Sequence, residues 1–174
     1  MPQSGFIVHK KFFLTLSIIA LLYSHPAQAA GGDVLERANR AYMARRYQEA
    51  GSLVSKALAQ EPGNAALQNL LGKVYHRLGK LEEAQACYLQ ALKIDGAPSE
   101  YHFNYGVALF DNNKFSEARQ QFEEAVKRSP QVSDYQYNLA IAKERLGDTS
   151  GAMEGYERAL RLDDKNAFAH FSIG

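Results

Sequence analysis

Residues 65–98 read AALQNLLGKVYHRLGKLEEAQACYLQALKIDGAP, and this stretch decides the fold. Residues 65–78 carry apolar side chains at helical spacing, Gly79-Lys80 makes a turn, and Leu81 to Ile94 resumes the helical pattern. The same reading recurs every 34 residues from Gly31 onward without slippage. Ala50, Ala84, Ala118 and Ala152 form one column at that interval, and Ala57, Ala91, Ala125 and Ala159 a second. Val54, Tyr88, Phe122 and Tyr156 form a third, bulky where the others are small. A fixed period of this length predicts a stacked helical solenoid, in which each unit buries its apolar face against its neighbours.

The turns fall in register too. Arg45, Gly79, Asn113 and Gly147 separate the helices of a pair, and Pro62, Gly96, Pro130 and Asp164 separate one pair from the next. Proline and glycine there stop a helix, because proline lacks the N–H and glycine accepts the left-handed conformation that follows a helix end. Gly72 and Gly106, with Ala38 and Ala140 in the same column, predict a close approach of the second helix's backbone to the first. The bulky column fills the remaining gaps, since alternating small and large residues brings facing helices to native density.

These residues resemble the tetratricopeptide repeat family, whose pattern is W-x2-L-G-x2-Y, then A-x3-F-x2-A and a late proline. Leu71-Gly72 with Tyr75, and Ala84, Tyr88 and Ala91, match it, as do Tyr105-Gly106, Ala118, Phe122, Ala125 and Pro130. The tryptophan column holds Val34, Gln68, His102, Gln136 and His170 instead, and Arg37 replaces the expected leucine in the first unit. The resemblance implies an all-α, right-handed α-α superhelix of four full 34-residue helix-turn-helix repeats plus a partial fifth. The repeats span residues 31–64, 65–98, 99–132, 133–166 and 167–174.

Ahead of the repeats, residues 1–29 read as a signal peptide. Lys10 and Lys11 supply its positive region, Phe12 to Tyr23 a 12-residue apolar run, and Ala27-Gln28-Ala29 a cleavage site before Ala30. Twelve helical residues span about 18 Å, short of a ~30 Å hydrocarbon core. The expected location is the periplasm or the exterior of a bacterial cell; the alternative is an uncleaved anchor in the inner membrane. Past the two lysines, 18 basic residues stand against 19 acidic ones, so charge gives no reason to propose nucleic acid or, after signal removal, a membrane surface as partner. Cys87 is the only cysteine and cannot form an intramolecular disulfide. It reads as a small packing residue, with an intermolecular bridge as the alternative.

In the family the first helix of each pair lines a concave surface that holds peptide or protein segments. Carried onto this sequence, that groove has three rows: Leu35, Asn69, Phe103, Tyr137 and Phe171; Asn39, Lys73, Val107 and Ile141; and Tyr42, His76, Phe110 and Glu144. Aromatic residues there suit ligand anchors, and the alternative is that they pad the packing between helices. Asn104 and Asn138 recur beside the first row, where asparagines of some members bond the backbone of an extended peptide. Lys73, His76 and Arg77 early and Glu100, Asp111 and Asp134 later suggest a bipolar ligand. A carboxylate clamp of the family's chaperone cofactors would need lysine at Leu35, asparagine at Leu70, and lysine and arginine at Glu100 and Asn104; only Asn39 fits.

Catalysis, a cofactor and a metal site are not expected. His102 and His170 sit two stacked pairs apart, too far to share an ion, and no nucleophile–base grouping, phosphate loop or CxxC occurs. Glu82-Glu83 and Glu123-Glu124 read as solvated helix faces. The expected partner is therefore a protein or an extended peptide segment. The alternative is self-association through the C-terminal edge, where Phe168, Phe171 and Ile173 restart the repeat without a partner helix. That open edge implies either a fragment of a longer array or a place where a partner or a second copy docks.

Overall fold

The computed structural model describes residues 26–96 and 98–164. The expectations that fall on residues 1–25, on Phe168, His170, Phe171 and Ile173, and on the partial fifth repeat lie outside the described residues. Among the described residues the secondary structure is entirely helical, in four consecutive pairs. These are α1 (Pro26–Met43) with α2 (Tyr47–Gln60), α3 (Ala65–Arg77) with α4 (Leu81–Ile94), α5 (Ser99–Asp111) with α6 (Phe115–Arg128), and α7 (Ser133–Arg145) with α8 (Thr149–Leu162). Each helix packs on its partner and on the neighbouring pairs, which makes the stack the expected all-α solenoid.

One turn is used four times inside the pairs. Arg45, Gly79, Asn113 and Gly147 all take positive φ, at 59°, 72°, 60° and 83°. At each, the next residue's N–H bonds back five residues, as in Lys80 to Tyr75 and Asp148 to Lys143, while the turn residue's own N–H bonds back three. This double bond pattern satisfies the last carbonyls of the first helix and reverses the chain. Between pairs the second helix ends on another recurring bond, from Glu61, Asp95, Ser129 and Asp163 to the alanines of the second column.

The two alanine columns are buried in every repeat, from fully inaccessible to 8% exposed at Ala57. The bulky column is buried with them: Val54, Tyr88, Phe122 and Tyr156 are at most 3% exposed. Each such side chain contributes about 1.5–3 kcal/mol by leaving water. The small residues opposite serve a different purpose from the one expected. A Cβ on Gly72 would lie 2.6 Å from the Tyr88 ring, and one on Gly106 2.6 Å from the Phe122 ring. The glycines therefore admit an aromatic ring, not the neighbouring backbone. Ala38 stands where the bulky partner is only Val54. In the fourth pair, Ala140 is accommodated by Gly155, where a Cβ would come within 2.8 Å of it.

The column that lacks tryptophan carries polar side chains that close the turns between pairs. Gln136 Nε2 donates to the Pro130 carbonyl at 3.2 Å, and His102 Nε2 lies 3.3 Å from the Gly96 carbonyl, one repeat earlier.

Candidate functional site: the concave face

Successive first helices lie side by side on one face, and four of the contacts between them span 35 residues, one more than the repeat. Asn104 Nδ2 donates to Asn69 Oδ1 at 3.0 Å. Arg77 Nε donates to the Tyr42 hydroxyl at 3.1 Å, and His76 Nε2 lies 2.7 Å from Asp111 Oδ2. The Arg145 guanidinium stands 5.8 Å from the centre of the Phe110 ring. The first and second repeats are thus tied by a phenol–guanidinium bond, the second and third by an amide–amide and an imidazole–carboxylate hydrogen bond, and the third and fourth by a cation–π contact.

An open cavity of about 520 Å3 lies in this wall. Tyr42 comes from α1, Lys73, His76 and Arg77 from α3, and Phe103, Asn104, Val107 and Asp111 from α5, with Tyr88 behind them. A smaller hollow of about 170 Å3 opens beside it, between Leu35, Asn39, Asn69, Lys73 and Glu100. Lys73 belongs to both, and its Nζ reaches Glu100 at 3.4 Å and stands 5.4 Å from the Tyr42 ring centre. Of the residues read as groove rows in the first three repeats, all but Phe110 line one or other of two adjoining depressions.

Those of the fourth repeat do not line either one. Asn138 turns back and donates to the Asp134 carbonyl of its own helix at 2.8 Å. Tyr137 tilts against Tyr156 with ring centres 5.6 Å apart, and Ile141 packs on the same cluster. Several groove aromatics also pad the stack: Phe103 is stacked on Tyr135 at 4.7 Å and tilted on Phe122, and Phe110 meets Phe115 edge-on at 5.0 Å. Leu35 packs against the Ala38–Leu70 cluster, and Asn69 is itself buried at 6% exposure. Glu144 Oε2 accepts from the Tyr156 hydroxyl at 2.6 Å.

The charges behave differently from the expected bipolar pattern. Lys73 is opposed by Glu100 and the His76 ring meets the Asp111 carboxylate, so the basic and acidic groups of adjacent repeats pair within the wall. Arg77 is held above its ordinary value, chiefly by the Tyr42 hydroxyl it bonds, and so is a fixed cation. Burial raises the Tyr88 hydroxyl behind the cavity far above the usual phenol range, leaving it neutral. Among the described residues no cluster of three or more histidine, cysteine, aspartate or glutamate side chains is placed to hold a metal ion, and no helix is long and apolar enough to cross a membrane.

Sequence profiles of the tetratricopeptide repeat match residues 41–102 and, overlapping one another, 77–131 and 103–167. No curated protein matches the chain in sequence. Among solved structures, Pseudomonas aeruginosa pilF superposes with a TM-score of 0.80 at 22% identity, over 86% of this chain and 68% of that one. YrrB, a tetratricopeptide repeat protein with an unusual peptide-binding site, superposes at 0.73 and 22% identity, over 83% and 75%. The first repeat domain of RPAP3, bound to the HSP90 peptide SRMEEVD, superposes at 0.61 and 26% identity, over 63% and 86%.

Proposed function

The chain belongs to the tetratricopeptide repeat family, and we propose that it is an exported, non-enzymatic interaction module whose concave groove holds an extended segment of a cell-envelope, secretion or pilus-assembly partner. One observation carries this reading. Three consecutive first helices build an open cavity of about 520 Å3 from side chains of mixed polarity, large enough for part of an extended chain. Export is supported by the charge, apolar run and Ala-x-Ala site of residues 1–29. The likeness to peptide-binding repeat structures supports a peptide as the occupant. The clamp positions at Leu35, Leu70 and Glu100 argue that the chemistry of capture differs from that of chaperone cofactors.

The reading is tested with paired baits in periplasmic extract. The unaltered chain should capture a protein that Val107→Arg, whose side chain would fill the cavity, does not. Circular dichroism must first show that the variant keeps its helices. Equal capture by both baits would sink the groove as the binding surface. The mature N-terminus, read by mass spectrometry, should be Ala30.

A further inference from the structure

The premise here is that the concave face is a peptide groove. Four cationic or basic side chains stand on its wall, and two meet carboxylates: Lys73 meets Glu100 and His76 meets Asp111. Arg77 and Arg145 meet none among the described residues. Both are propped by the preceding repeat, Arg77 through Nε on the Tyr42 hydroxyl and Arg145 by its face over Phe110. Both side chains are exposed and neither contact uses an Nη nitrogen, which leaves each guanidinium the pair of donors that grips a carboxylate by two parallel bonds.

Arg77 and Arg145 occupy the same place in their repeats, with Asp111 at that place in between. Packed helices lie roughly 8–10 Å apart, so two steps separate the arginines by about 16–20 Å. An extended chain covers that in about five or six residues at ~3.3 Å each. Midway, α5 offers Val107 and Phe110, both half-buried and apolar, while Asp111 would repel an acidic side chain.

We propose that the groove selects an extended protein segment with two carboxylates about five or six residues apart, one on Arg77 and one on Arg145, and uncharged apolar side chains between. The clamp positions contribute nothing to this arrangement, which uses the ends of α3 and α7.

A phage-displayed library of random dodecapeptides, selected on the full chain, supplies the probe. The selected peptides should carry two acidic residues at that spacing, and binding of a labelled synthetic copy should weaken as salt rises. Arg77→Gln and Arg145→Gln should each weaken it at least tenfold, about 1.4 kcal/mol. Changing one peptide acid to its amide should weaken binding to the unaltered chain but not to the variant lacking the matching arginine. A benzophenone at the peptide's centre should crosslink to α5. Crosslinking to α5 with indifference to both arginines and both acids would overturn this inference and leave the groove reading intact. Crosslinking elsewhere, or no selected peptide, would overturn the groove reading and this inference with it.

Discussion

Two residues of the turn column carry a side chain through the left-handed region, Arg45 at φ 59° and Asn113 at φ 60°, where the other two repeats use glycine. That conformation costs an ordinary residue about 1–2 kcal/mol and asparagine less. Glycine returns ~0.4–1 kcal/mol of the gain through the freedom it adds to the unfolded chain. Arg45→Gly should therefore stabilise the chain by up to about 1 kcal/mol, and Asn113→Gly by little or nothing, as read from urea midpoints. A loss of stability at Arg45→Gly would mean that its side chain makes a contact worth more than the strain. Cys87, half-buried on α4, is governed by its surroundings as well: burial, with Glu83 adding to it, pushes the thiol up to about 11. At pH 8 only about one thiol in a thousand is then the reactive thiolate. Iodoacetamide should label the native chain slowly, with the rate climbing about tenfold per pH unit towards pH 11, and urea should restore ordinary reactivity. The unfolded thiol ionises first, so this group's contribution to stability is full below pH 9 and declines from there towards about 11. Fast labelling of the folded protein at pH 8 would refute the burial.

At the scale of the helix pair, packing depends on matched small and large positions. Gly72 must stay bare because a Cβ would press on a Tyr88 ring that is only 1% exposed. Gly72→Ala should cost about 1–3 kcal/mol as an overpacked core does. Combined with Tyr88→Val, which recreates the Ala38–Val54 pair of the first repeat, it should cost less than the sum of the single changes. A double-mutant cycle measures that coupling, and simple additivity would show that the two positions do not share one space. The helix pairs, their turns and the alanine columns are legible in the sequence because each has a requirement that returns every 34 residues. The wall between repeats is not legible in the same way. Several of its contacts run from i to i+35, so columns aligned at 34 set Tyr42 beside His76 and hide its real partner, Arg77. Phe103 and Tyr137 read as ligand anchors by residue type; that their rings also lean on Phe122, Tyr135 and Tyr156 depends on backbone positions that no periodicity reports. Truncating either would therefore disturb folding and binding together, and Val107, Arg77 and Arg145 are the better probes of the groove.

For the whole molecule, the arrangement of contacts matters more than any one of them. Each helix pair packs on its sequence neighbours, and among the described residues no central core joins the ends. Stability in such a stack is close to a sum of repeat and neighbour terms, so damage should stay near its source. Ala118 offers the test. It is fully buried between α5, α6 and α7, in a cluster with Leu109, Phe122, Leu139 and Ala142. Ala118→Leu overpacks that cluster at about 1–3 kcal/mol. In native-state hydrogen exchange, the amides of α5 to α7 should then exchange about tenfold faster or more, since 1.4 kcal/mol is a factor of ten. Amides of α1 and α2, separated from the site by the whole second pair, should keep their protection. A single cooperative domain would behave otherwise, with one globally exchanging core whose amides all accelerate together. Uniform acceleration from α2 to α8 would show that the four pairs unfold as one unit and that neighbour coupling is strong enough to hide the repeat.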